Sequence, residues 1–164
     1  MPTPMLSDDD IRTVRRAYDG LPKGEKAVLK RCRSGGEIQL EGGFWRIASL
    51  APPLFRARLS HVVACFPAAD QLQRVQGFRV GSFLRNALYG AKRTLKPGEA
   101  VVFRRLLAAD QMEDLVHYLR RALTHAGRPV DWGVLGRDVV FWGDFVRRKW
   151  AQDFYSPLKE ESHV

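Results

Sequence analysis

With 164 residues, the chain suits one compact domain, or two small lobes sharing a core, and its 45% hydrophobic share excludes a disordered basic tail. No apolar run approaches the ~20 residues needed to cross a bilayer. Twenty-seven Lys and Arg against 18 Asp and Glu leave a net charge of +9, which predicts attraction to polyanions, nucleic acid first among them, without choosing a fold.

The pattern is helical nearly throughout. Residues 1–6 carry no helical signal and are expected to be disordered. Ser7 before Asp8, Asp9 and Asp10 is a good N-cap with acids in the first turn, where the helix dipole favours them. Ile11, Val14 and Tyr18 follow at helical spacing, and Gly20 with Pro22 ends the segment. A second helix is expected from Lys23 to Arg33, burying Ala27, Val28 and Leu29 and stopping at Gly35-Gly36. Phe44 to Leu50 reads as a short helix, and Pro52-Pro53 opens another from Leu54 to Phe66.

The segment before Ser82 reads equally as loop, short helix or short strand, whereas Ser82 to Tyr89 is helical. Pro97 supplies a start for the next helix, and Asp110 is expected to cap the one after it. There Met112, Leu115, Leu119, Ala122 and Leu123 form an apolar stripe. After Gly127-Arg128-Pro129, Asp131 caps a last long helix along Leu135, Val139, Trp142, Val146 and Trp150, with both late tryptophans, Trp132 and Phe44-Trp45 read as core. The tail 157–164 is expected to fray. Alternation of period two is scarce. The expected fold is therefore all-α: a compact bundle of about seven to eight helices.

Catalytic templates fail in turn. GFRVG at Gly77 to Gly81 lacks the lysine of a phosphate-binding loop. His61, His117, His125 and His163 show no metal-ligand spacing with cysteine or carboxylate and read as surface or core-edge residues. Ser60-His61 lacks the strand-to-helix turn of a nucleophile elbow. Asp138 and Asp144 read as surface pairs. Cys32 and Cys65 lie far apart without a partner motif, as expected of reduced, partly buried thiols in a cytoplasmic protein with no signal peptide. The expectation is a non-enzyme without metal or cofactor.

The positive charge is clustered. Arg12 to Arg33 holds eight basic residues against two acids, and Arg74 to Arg105 eight against one. On the helix after Asp110, Arg120 lies about 100° and Arg121 about 200° from the apolar Leu119, which puts Arg120 on the flank and Arg121 outward. Lys30 and Arg31 are exposed or flanking by the same counting. Arginine forks suit phosphate oxygens, so backbone binding with little base readout is expected.

The stretch FRRLLAADQMEDLVHYLRRALTHAGRPVDWGVLGRDVVFWG, Phe103 to Gly143, resembles the C-terminal half of the small subunit of Cascade, the type I-E CRISPR surveillance complex (the CasB family). LRRALTHA, VDW and RDVVFWG match in order and spacing. GEKAVLKRC resembles the family's first basic helix, GGFWRIA its short aromatic helix, and SFLRNAL a further family segment, although Leu84 and Asn86 depart from the pattern there. The resemblance extends over most of residues 8 to 155. It implies a non-catalytic helical subunit present as a pair of copies in a crRNA-guided complex, contacting other Cascade subunits, the crRNA and both strands of target DNA. The contact residues it implies are Lys30, Arg31, Arg120, Arg121 and Arg137, with Arg85, Arg104 and Arg105 as additions. The alternatives are a free-standing helical DNA-binding protein and an assembly adaptor for acidic protein partners.

Overall fold

The computed structural model describes residues 5–73, 76–90, 95 and 100–156. Among them the chain forms ten α-helices: α1 (Asp8–Asp19), α2 (Lys23–Arg31), α3 (Gly35–Ile38), α4 (Gly42–Ala48), α5 (Leu59–Cys65), α6 (Val80–Tyr89), α7 (Val101–Leu107), α8 (Met112–Ala126), α9 (Trp132–Val140) and α10 (Asp144–Tyr155). No strand occurs among the described residues; a single bridge pairs Gln71 with Val130. Pro97 and the tail 157–164 lie outside the described residues, as does most of the segment 1–6. Its last residue, Leu6, is buried, so the expected disorder does not extend to it.

The capping box at Ser7 is complete: its hydroxyl accepts from the Asp10 N–H, and the Asp10 carboxylate accepts from the Ser7 N–H. α5 lies at the centre, against α3, α8 and α9. Every residue of it except His61 is buried, which is why LSHVVAC shows no polar face. α8 is the second hub, packed on α5, α6 and α7, with Leu115, Val116, Leu119, Ala122 and Leu123 turned inward. α1 crosses α9 where Gly133 and Gly136 remove side chains from the contact; a Cβ on Gly133 would stand 2.7 Å from the Asp8 carbonyl oxygen. α6 meets α10 in the same way, through Gly81 against the Trp150 backbone.

Several boundaries differ from the expectation. α2 ends at Arg31, with Ala27 exposed, Val28 partly buried and only Leu29 fully buried. Gly35-Gly36 does not end a helix but begins α3, because the Ser34 hydroxyl caps the Glu37 N–H. The helix expected from Leu54 to Phe66 is a 3-10 turn at Pro53–Phe55, then α5, then a 3-10 turn at Phe66–Ala68. Asp110 does not cap α8: Gln111 holds that position, and Asp110 pairs with Arg147 at 3.0 Å.

The long last helix is two helices, broken at Phe141 to Gly143. Glycine is a poor interior helix residue, and Asp144 makes a good first-turn residue for a new helix. Trp150 is fully buried, whereas Trp142 beside the break is only partly so, its indole N–H donating to the Ala109 carbonyl at 2.9 Å. Trp45 is 42% exposed and does not belong to the core. Asp138 is buried and not a surface acid; it accepts from Lys149 Nζ at 2.9 Å and Trp150 Nε1 at 2.7 Å. Both thiols are free and buried, and burial pushes Cys65 up to about 12.

Candidate nucleic-acid interface

The basic residues divide into those that hold the frame and those that face solvent. Arg12 reaches from α1 to Asp131 at the start of α9, with Nε 3.1 Å from Oδ1 and Nη2 2.9 Å from Oδ2. Arg15 is buried against Phe66 and Trp132 and donates Nη1 to the carbonyls of Phe66 and Ala69. Arg147 ties the start of α10 to the loop before α8 through the Ala109 carbonyl and Asp110. These guanidiniums close carbonyls and carboxylates inside the fold, and their charge is spent there.

The solvent-facing set converges where the end of α2 meets the outer side of α8. Lys30 and Arg31 are exposed in the last turn of α2, where cations suit the helix dipole. The chain then leaves the helix at Cys32, whose carbonyl accepts from Arg120 Nη1 at 2.8 Å. That bond caps a carbonyl the helix leaves open and pins α8 to α2. It uses one of the five guanidinium donors of Arg120 and leaves its charge at the surface.

Around this joint lies an open groove of about 650 Å³ lined by Arg33, His117, Arg120, Arg121, Thr124 and His125. On α8 the lining residues repeat at steps of four, 117-121-125 and 120-124, so they form one face. Arg121 is exposed and Arg120 partly buried, as the helical counting expected. A wall of cationic forks with hydroxyl and imidazole donors between them suits a run of phosphate oxygens.

Four of the sequence-derived residues, Lys30, Arg31, Arg120 and Arg121, fall at this joint or immediately beside it. The other four do not. Arg85 is buried, not displayed: Nη1 donates to the Phe154 carbonyl at 3.0 Å and the guanidinium lies 5.4 Å from the Phe154 ring centre, so it braces α6 on α10. Arg137 is exposed on α9 and faces Asp8 at 3.6 Å. Arg104 and Arg105 are exposed on α7, outside the groove. Conversely Arg33, His117, Thr124 and His125 line the groove without having been singled out as contacts. The step of four along α8 was the available signal for three of them. Arg33 lies beyond the helix end, where helical counting stops.

A helix-turn-helix reading fails on α9. It follows a short turn, but only Arg137 is exposed on it, and Trp132, Leu135, Asp138 and Val139 are buried. Such a helix cannot enter a major groove. Among the described residues no group of three or more His, Cys, Asp and Glu could hold a metal ion, and no helix is long and apolar enough to cross a membrane.

The chain as a whole is similar to known proteins in sequence and in fold. The family described as CRISPR-associated protein Cse2 matches residues 25–155. The CRISPR system Cascade subunit CasB of Escherichia coli (strain K12) is 29% identical over 157 residues, covering 92% of this chain and 95% of its own. A chain in the crystal structure of E. coli Cascade bound to a PAM-containing dsDNA target superposes with a TM-score of 0.68 at 26% identity. That match covers 88% of this chain and 93% of that one.

Proposed function

Since the chain belongs to the CRISPR-associated Cse2 family, we propose that it is the non-catalytic small subunit of a crRNA-guided Cascade complex, and that the α2–α8 groove is its track for a nucleic-acid backbone. The observation that carries this is the groove itself: Arg33 from just past α2 and Arg120 and Arg121 from α8 on one open face, locked by the Arg120–Cys32 hydrogen bond. In this role the protein sits in the complex beside a second copy of itself, the other subunits and the crRNA. Its groove steadies target DNA, the strand paired to guide or the displaced strand of the R-loop.

The chemistry suits such a task. Guide pairing reads the sequence, so the subunit need read only charge and backbone. Exchanging a DNA duplex for a guide–target duplex is close to balanced, and a few phosphate contacts are enough to tip it. The isolated protein should therefore bind single-stranded and duplex DNA weakly and without sequence preference. Its log affinity should fall linearly with log salt, at about 0.9 units per phosphate contact on duplex. Affinity that is flat across a salt titration, or strong preference for one sequence, would overturn the proposal.

A further inference from the structure

Just past the groove is a second depression of different chemistry. α8 ends at Gly127, in the left-handed region at φ 63°, and the turn brings Arg128 and Pro129 opposite the start of α6. There, with Leu72, Phe78 and Phe83, they enclose an open cleft of about 380 Å³ whose wall is almost wholly apolar. Phe78 and Phe83 are both half-buried, their ring centres 5.4 Å apart and inclined at 45°. Arg79 and Ser82 complete the lining, and both arginines, Arg79 and Arg128, are exposed. Among the described residues Arg79 makes a long ion pair to Asp153, at 3.7 Å.

The cleft's volume lies at the low end of the range of ligand sites, about 300 Å³ and upward, and it is open to solvent. An open apolar cleft floored by one tilted pair of phenylalanines, with two cations at its edge, suits a ligand with a flat uncharged face on an anionic tether. A nucleotide has that form, and only an unpaired one offers the face of its base. Continuity with the groove favours the same occupant. Thr124 and His125 line the groove and Arg128 and Pro129 the cleft, so only Ala126 and Gly127 lie between them, a span of at most about 11 Å from His125 to Arg128. GFRVG, which fails as a phosphate loop, supplies Phe78 and Arg79.

We propose that this cleft receives one unpaired base from a single DNA strand whose backbone follows the α2–α8 groove, the base stacking on Phe78 and Phe83 while Arg79 and Arg128 hold the flanking phosphates. The proposal rests on the nucleic-acid reading of the groove. Stacking of this kind tolerates any base, since each has a π-face, and so adds affinity for single strands without sequence preference.

The test is fluorescence anisotropy of the full chain with a short oligodeoxythymidine, an abasic strand of the same length, and a duplex. Phe83→Leu keeps apolar volume and removes the aromatic face. It should weaken binding to oligodeoxythymidine by about fivefold or more, leave the abasic strand and the duplex at parental affinity, and melt like a folded helical protein. Should that variant not fold, Phe78→Leu carries the same expectation. Arg128→Ala should weaken oligodeoxythymidine and the abasic strand alike. A folded Phe83→Leu protein that binds oligodeoxythymidine like the parent, or loses the abasic strand equally, overturns the cleft. So does a variant impaired only in joining the assembled complex, since the occupant would then be a protein side chain. The two readings separate through Arg33→Ala with Arg121→Ala. If that pair changes nothing while Phe83→Leu still loses oligodeoxythymidine, the groove fails and the cleft stands.

Discussion

Asp131 joins two jobs that the sequence suggests only in part. It caps α9, accepting the Gly133 N–H at 3.0 Å, and it receives Arg12 from α1 through two hydrogen bonds at 3.1 and 2.9 Å. Its side chain is 1% exposed against 15% for Arg12. The Arg12 guanidinium pKa is raised, chiefly by the hydrogen bond to Asp131. Asp131→Ala removes the cap, at about 1 kcal/mol, and leaves a largely buried cation. Breaking a buried pair from one side costs about 3–5 kcal/mol, and the lower end applies because Asp9 still pairs with Arg12 at 2.6 Å. The expected loss is thus about 4 kcal/mol, or roughly 10 °C in Tm for a domain of this size. Asp131→Asn keeps an oxygen to accept from Gly133 and Arg12 Nε but loses the charge and the acceptor for Arg12 Nη2, so it should fall between Ala and parent. Thermal melts followed by circular dichroism, with Arg12→Ala completing a double-mutant cycle, measure the coupling. An Asp131→Ala protein melting with the parent, or a cycle without coupling, would refute the assignment.

Trp150→Ala should destabilise by about 3–5 kcal/mol as a buried large-to-small change, and Trp142→Ala by clearly less, since Trp142 is only partly buried beside the helix break; equal losses in denaturant melts would contradict the two-helix ending. His61 gives a pH signature. Burial lowers its pKa, partly offset by Glu113, and its buried Nδ1 has no hydrogen-bond partner among the described residues. The folded state therefore holds it neutral while the unfolded chain protonates near pH ~6.5. This contribution to stability is complete above that pH and is lost as pH falls towards the folded pKa. His61→Gln should flatten the decline of Tm on acidification through that window, and an unchanged slope would show the imidazole to be solvated.

Where the sequence was readable, one physical signal dominated. The apolar stripe of α8 and the capping box of Ser7 are local and periodic, and both stand in the structure. The register also placed Arg120 on a flank and Arg121 outward, because orientation around one helix needs no knowledge of its neighbours. Contacts between distant segments were not readable. Arg85 was a contact residue only through the family resemblance, yet α10 packs over α6 at Gly81 and turns Arg85 into a brace. The line from Leu135 to Trp150 kept helical spacing across a break, since α9 and α10 present their apolar sides to the same core. Asp138 looked like a surface acid until α10 folded back to offer it Trp150 and Lys149. Arg33 lines the groove next to Cys32, whose carbonyl Arg120 bonds across from α8, a contact between distant segments.

The central claim is that the α2–α8 face is a backbone track, and the direct measurement is target-DNA affinity of the assembled Cascade complex at two or more salt concentrations. Arg31→Ala, Arg33→Ala and Arg121→Ala should be combined, leaving Arg120 in place because its bond to the Cys32 carbonyl is structural. All three are exposed, so each should shift stability by about 0.5 kcal/mol or less, and the subunit should still be incorporated. Binding to target DNA should weaken, and the salt slope should fall by about one unit for each phosphate contact removed. Guide-RNA loading and base-pair specificity should be unchanged. An incorporated triple variant with parental affinity and parental salt slope would contradict the account.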